Sequence, residues 1–335
     1  MVQRATIIRV LVAASVLLVV LGANPDAAAA EQPGFAVYEW YRVSQVNAKV
    51  SDQSLGSLRT DGFKTVYADV GEYLEVADQP ASKAQKTHLA QLKSDLRRFV
   101  ARAASLGYAV HAVAGGPDWT DTARRYLGPK LVQLVADHNA TVAANERLQG
   151  VQLDIEPYVD PSFFDDVETS FQDYLWTLKG VVDRYRQVRT QAGNSGLRLG
   201  FAIPFWFDGT PEAPAVRFGP DNSSQPAAFH LIDMLRDLSD AYVVVMAYRN
   251  FAAGTDGSIE HVRGELTYAR DAGAACGIVV GQEFGKVYPE KLSFWWAGRA
   301  AFRQAAEAIV GEYGGYAQFR GVSVNDLSSY QVVRE

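Results

Sequence analysis

The chain has 335 residues, a formal net charge of −6 at pH 7, 48% hydrophobic residues and one cysteine, Cys276. That apolar content excludes intrinsic disorder, and an acidic chain without Lys/Arg runs is a poor fit to nucleic acid or an anionic membrane surface. A lone cysteine forbids an intrachain disulfide, and its setting in AACGIVVG marks it as packing and not as a nucleophile.

Residues 1–30 read as a secretory signal. Arg4 and Arg9 precede or flank an apolar run, VLVAASVLLVVLGA, and ANPDAAAAEQ ends it in small residues. The run is shorter than the roughly 20 residues of a spanning helix. Residues 31–335 are then expected as one domain, secreted or periplasmic, monomeric, and without membrane contact after cleavage.

Eight β-rich runs follow at intervals of about 40 residues: 35–40, 63–70, 108–116, 150–156, 197–205, 241–248, 276–284 and 319–327. Segments with apolar residues three and four apart lie between them, at 85–107, 163–193, 230–240 and 296–314. The Gly/Pro-rich stretch 208–226 reads as a long loop within the domain. Strands alternating with helices imply parallel pairing through crossovers. Eight such units fit a closed (β/α)8 TIM barrel, and an open nucleotide-binding sheet lacks its G-x-G-x-x-G or G-x-x-x-x-G-K-[ST] turn here.

The fourth run, GVQLDIEPY (150–158), alternates apolar and polar residues. In a parallel barrel the helix-facing positions are apolar, so Val151, Leu153 and Ile155 are expected outward. Gln152, Asp154 and Glu156 then point inward, climbing to the carboxyl end where such barrels hold their active sites. Pro157 stops the strand because it has no N–H for the ladder. Two stacked acids each cost several kcal/mol to desolvate unless paired or protonated, and their repulsion raises the pKa of one, as a general acid requires.

Other strand ends carry acids and aromatics: Glu39, Trp40 and Tyr41 after the first, Asp69 at the second, and Gly115, Gly116 and Trp119 after the third. Phe205, Trp206 and Phe207 follow the fifth, Tyr248 closes the sixth, Glu283 the seventh and Asp326 the eighth. Carboxylates bind sugar hydroxyls and rings stack on pyranose faces. The expected substrate is a poly- or oligosaccharide. Its candidate binding residues are Glu39, Trp40, Tyr158, Trp206, Tyr248 and Asp326. No cofactor and no metal is expected: His88, His111, His138, His230 and His261 form no H-x-H or H-E-x-x-H pattern, and no G-x-S-x-G elbow exists.

With these motifs in order the chain resembles the chitinase-like family 18 glycoside hydrolases. Their fourth strand carries D-G-x-D-x-D-x-E, and QGVQLDIE keeps Gly150, Asp154 and Glu156 while placing Gln149 and Gln152 at the first two aspartates. VAGG (113–116) keeps both glycines of S-x-G-G, and MAYR (246–249) keeps Met246 and Tyr248 of M-x-Y-D but has Arg249 for the Asp. The resemblance implies a glycosidase in which Glu156 protonates the leaving oxygen and Asp154 orients the substrate's acetamido group. Retaining barrel glycosidases with a second glutamate on strand seven offer a different mechanism, with Glu283 in that place and carboxyls about 5–5.5 Å apart. A third reading is a barrel that binds glycan without cleaving it, which Gln149, Gln152 and Arg249 motivate.

Overall fold

The computed structural model describes residues 34–335; the expected signal segment lies outside the described residues. Eight parallel strands close into a barrel: β1 (Gly34–Glu39), β2 (Phe63–Asp69), β3 (Ala109–Ala114), β4 (Gly150–Leu153), β5 (Arg198–Pro204), β6 (Ala241–Met246), β7 (Gly277–Glu283) and β8 (Phe319–Asn325). Each pairs with its sequence neighbours, and β8 returns to β1 through Gly34 opposite Gly321 and Val37 opposite Val324. The expected (β/α)8 barrel is the fold.

Strand parity divides the apolar residues into two cores. Ala36, Tyr38, Tyr67, Val113, Ala202, Tyr242, Val244 and Val279 fill the bore as one small cluster. Val151, Leu153 and Ile155 belong to the large cluster between barrel and helices, which is the outward direction expected of them. An inner core rich in tyrosine leaves hydroxyls in the bore, and they bond to one another and to His111, whose Nδ1 lies 2.8 Å from the Tyr242 hydroxyl.

Three long helices fall close to their expected spans, at Lys83–Ser105, Val167–Val188 and Arg299–Tyr313, whereas the segment expected at 230–240 is helical only as Ala227–Met234, starting earlier and ending well short of 240. Ser82 and Asp166 fix two of the starts by accepting hydrogen bonds from Gln85 N and Thr169 N. Among the described residues seven more helices are present at Val43–Lys49, Asp52–Thr60, Gly71–Asp78, Leu127–Ala140, Ser258–Asp271, Phe294–Ala297 and Leu327–Val332. The stretch 208–226 is not wholly loop, since Val216–Phe218 and Ser223–Gln225 pair as an antiparallel ribbon. Among the described residues no helix is long and apolar enough to cross a membrane.

Candidate active site

β4 is shorter than its sequence pattern. Its ladder ends at Leu153, although Asp154 N still donates to Ala114 O at 3.1 Å. This close approach explains Gly115: a Cβ there would stand 1.7 Å from Asp154 O. Gln152 is buried in the bore and donates through Nε2 to the Tyr38 hydroxyl. Asp154, one rung up, has its Oδ1 shielded from solvent with no hydrogen-bond partner. Burial raises its pKa, and the neighbouring Glu156 raises it further. At Glu156 the backbone turns (φ −116°, ψ 67°), Pro157 opens a short 3-10 turn, and the Tyr158 hydroxyl donates to Glu156 Oε1.

On β7 the alternation puts Ile278 and Val280 in the outer core and Val279 in the bore, so Glu283 shares the inward parity. Its carboxylate accepts from Gly285 N and, at 2.7 Å, from Asn325 Nδ2. Burial lifts its pKa to about 7 against these two hydrogen bonds, which pull it down. Asn325 ends β8 and also accepts from Trp40 Nε1 at 2.7 Å, so one amide joins the ends of β1, β7 and β8. Trp40 stacks on Tyr38 with ring centroids 5.3 Å apart and remains 41% exposed, leaving one indole face to solvent.

Tyr248 lies where these groups meet. Its hydroxyl is held far above the ordinary tyrosine range by burial and then by Glu283, Asp154 and Glu156 in that order. Arg249 turns the other way: Nε donates to Asp256 at 2.8 Å and Nη1 to Tyr248 O at 2.7 Å. Asp256 also binds Lys291 and His261, which keeps its carboxyl far below the usual range and makes this network a loop clamp.

The remaining candidates divide. Trp206 is half-buried and meets Tyr158 edge-on at 5.2 Å, so it backs the residue that bonds Glu156. Glu39 is only 1% exposed and shares the outward parity of Val37; its carboxylate accepts from Tyr41 N at 2.6 Å and is pushed up to about 8 by burial. Asp326 caps the helix Leu327–Val332, accepting from Ser329 N at 2.8 Å. Asn325 was missed by sequence reasoning, although the parity it shares with Ser323 is the signal that finds it. Among the described residues no group of three or more His, Cys, Asp and Glu is placed to hold a metal ion.

Beside Trp40 a cleft of about 380 Å³ opens at the ends of β1 to β4. Trp40 and Trp119 line it with Asp69, Glu75, Asp78, Asp118, Arg124 and Asp154. Asp69 accepts from Gly71 N at 2.8 Å, and burial raises its pKa to about 6.

No family model and no curated protein sequence matches the chain. Solved structures do. A family 5 xyloglucanase from Paenibacillus pabuli, in complex with a ligand, aligns with a TM-score of 0.53 at 12% identity, over 87% of this chain and 89% of its own. An endo-β-1,4-glucanase from Xanthomonas axonopodis pv. citri gives 0.52 at 12% identity, over 87% of each chain. The likeness is one of fold. A family 18 chitinase from Cycas revoluta in complex with (GlcNAc)3 aligns at 0.49 and 12% identity, over 88% of this chain and 95% of its own. The xyloglucanase and the endoglucanase therefore share the (β/α)8 barrel with this chain, and family 18 is not shown.

Proposed function

We propose that the protein is a secreted glycoside hydrolase acting on a cell-envelope or extracellular polysaccharide, with Glu156 as general acid. The observation that carries this reading is the placing of Asp154 and Glu156 just past the end of β4, and of Glu283 on the inward parity of β7, all at the carboxyl end of the barrel. As the C1–O bond breaks, the proton of Glu156 passes to the leaving oxygen, and water supplies the hydroxyl that ends on C1. Glu283 is the second carboxylate, either attacking C1 or drawing the proton from that water. Asp154 orients Glu156, and Tyr248 positions the sugar.

Two features favour this two-glutamate route over an acetamide-assisted one. Gln152 spends its amide N–H on Tyr38 and brings no carboxylate to support Asp154. Glu283 is inward, buried and held by two donors.

The test is release of reducing ends from hydroxyethylcellulose, xyloglucan, glycol chitin and chitosan by the parent and by Glu156→Gln. General acid catalysis is worth about 10²–10⁴-fold, and the variant should lose that much while still binding oligosaccharide. Equal rates for the two proteins would remove Glu156 from the mechanism. Binding with no release by the parent on any of these polymers would leave a glycan-binding barrel.

A further inference from the structure

The cleft beside Trp40 is lined by more acids than bases. Asp69, Glu75, Asp78, Asp118 and Asp154 line it against a single cation, Arg124. Three of the five acids are answered at the rim: Asp118 by Arg124 at 3.0 Å, Asp78 by Lys130 at 2.6 Å and Glu75 by Arg42 at 3.4 Å. The inner two differ. Asp69 is held by a backbone N–H of its own turn, and Asp154 Oδ1 is shielded from solvent without any partner. Burial favours the protonated form of both, and a cationic donor brought into the cleft is the group that would let them ionise there.

The aromatic walls say what kind of molecule brings that donor. Trp40 offers an exposed indole face, the surface on which a pyranose ring stacks, and it stands beside the acids in the same cleft. A uronic acid would meet like charge throughout. A neutral sugar would fill the space and bring no cation to the two inner carboxyls. An amino sugar supplies a ring face for Trp40 and an ammonium, with three N–H donors, for Asp154 and Asp69. The net charge of the whole chain, −6, also favours the approach of a polycation.

We propose that this cleft binds a hexosamine unit bearing a free amino group, so that the substrate is a de-N-acetylated, cationic polysaccharide. The word substrate rests on the glycosidase reading above; the binding site does not. The test uses the full chain carrying Glu156→Gln, titrated by calorimetry with glucosamine hexamer, N-acetylglucosamine hexamer and cellohexaose. At about pH 6 and about 50 mM salt, the glucosamine hexamer should bind about tenfold or more tighter than either of the others. That advantage should shrink at about 0.5 M salt, and Asp69→Asn added to the same protein should cut it to about threefold or less. Glu75→Gln, on the exposed rim, replaces Asp69→Asn if the latter fails to fold.

Equal affinity for the three hexamers, or a preference untouched by both cleft substitutions, overturns the proposal. Equal affinity combined with Glu156-dependent cleavage of neutral glycans leaves the hydrolase reading standing and removes only the amino-sugar site. Selective binding of the amine without cleavage of any polymer, chitosan included, supports the site and sinks the hydrolase.

Discussion

Asn325 serves two groups at once, giving its N–H to Glu283 and its oxygen to the indole of Trp40. A donor to the ionised form lowers an acid's pKa, so Asn325 restrains a carboxyl that burial has already lifted to about 7. Asn325→Leu should therefore raise that pKa. If Glu283 must be ionised to act, the acid limb of the kcat/KM profile should move about one pH unit to the alkaline side. An unmoved limb would show that Glu283 is not the group titrating there. Asp154 and Glu156 were legible because β4 alternates oil and acid, which parity converts into a direction. Glu283 was not, since IVVGQEF is apolar on both faces; the structure orients it through Val279 in the bore. Asp326 drew attention as an acid at a strand end, yet it caps a helix, and the working amide is the residue before it.

Among the elements, the contact between the ends of β3 and β4 has the least slack. With Asp154 O where a side chain at position 115 would stand, Gly115→Ala forces the two strand ends apart. Overpacking of this kind costs about 1–3 kcal/mol, here against backbone that cannot rotate away. Urea unfolding should show that loss, and displacement of Asp154 should remove most of the activity. A variant with parental stability and parental turnover would contradict the placement of Asp154 on β4. At this scale the sequence showed all eight strands but only four of the helices, and missed Leu127–Ala140 and Ser258–Asp271. Leu127–Ala140 was readable in principle, since Leu131, Val132, Val135 and Ala136 are buried at spacings of one to four. The short helices Val43–Lys49, Asp52–Thr60 and Gly71–Asp78 carry two or three buried residues each, too few for periodicity to show against loop.

For the whole molecule, the buried acids tie stability to pH. Glu39 keeps its proton to about 8 in the fold, against 4.5 as its ordinary value, because burial penalises the charge. Between those limits the unfolded chain binds fewer protons, so stability is fully present below the lower limit and falls as pH rises through the upper. Asp69 and Glu283, raised to about 6 and about 7, add in the same direction. Glu39→Gln should gain about 3 kcal/mol on the parent between about pH 5 and about pH 9. Urea denaturation at the two pH values measures it, and a pH-independent difference would mean that Glu39 is already ionised in the fold. The barrel itself follows from the beat of eight strands. Which charges it would gather at its mouth did not, because long-range partners such as Asn325 and Trp40 are 285 residues apart.

That distance gives the site an order of assembly. Trp40 follows the first strand of the barrel and Asn325 ends the last, and β1 finds its second neighbour only when β8 arrives. Until then Glu283 lacks one of its two donors and Trp40 lacks the acceptor that fixes its ring. The closing seam of the barrel and the closing bond of the site are the same event. A chain stopped short of Phe319 would carry Asp154, Glu156 and Glu283 and still lack the amide that ties Glu283 to Trp40.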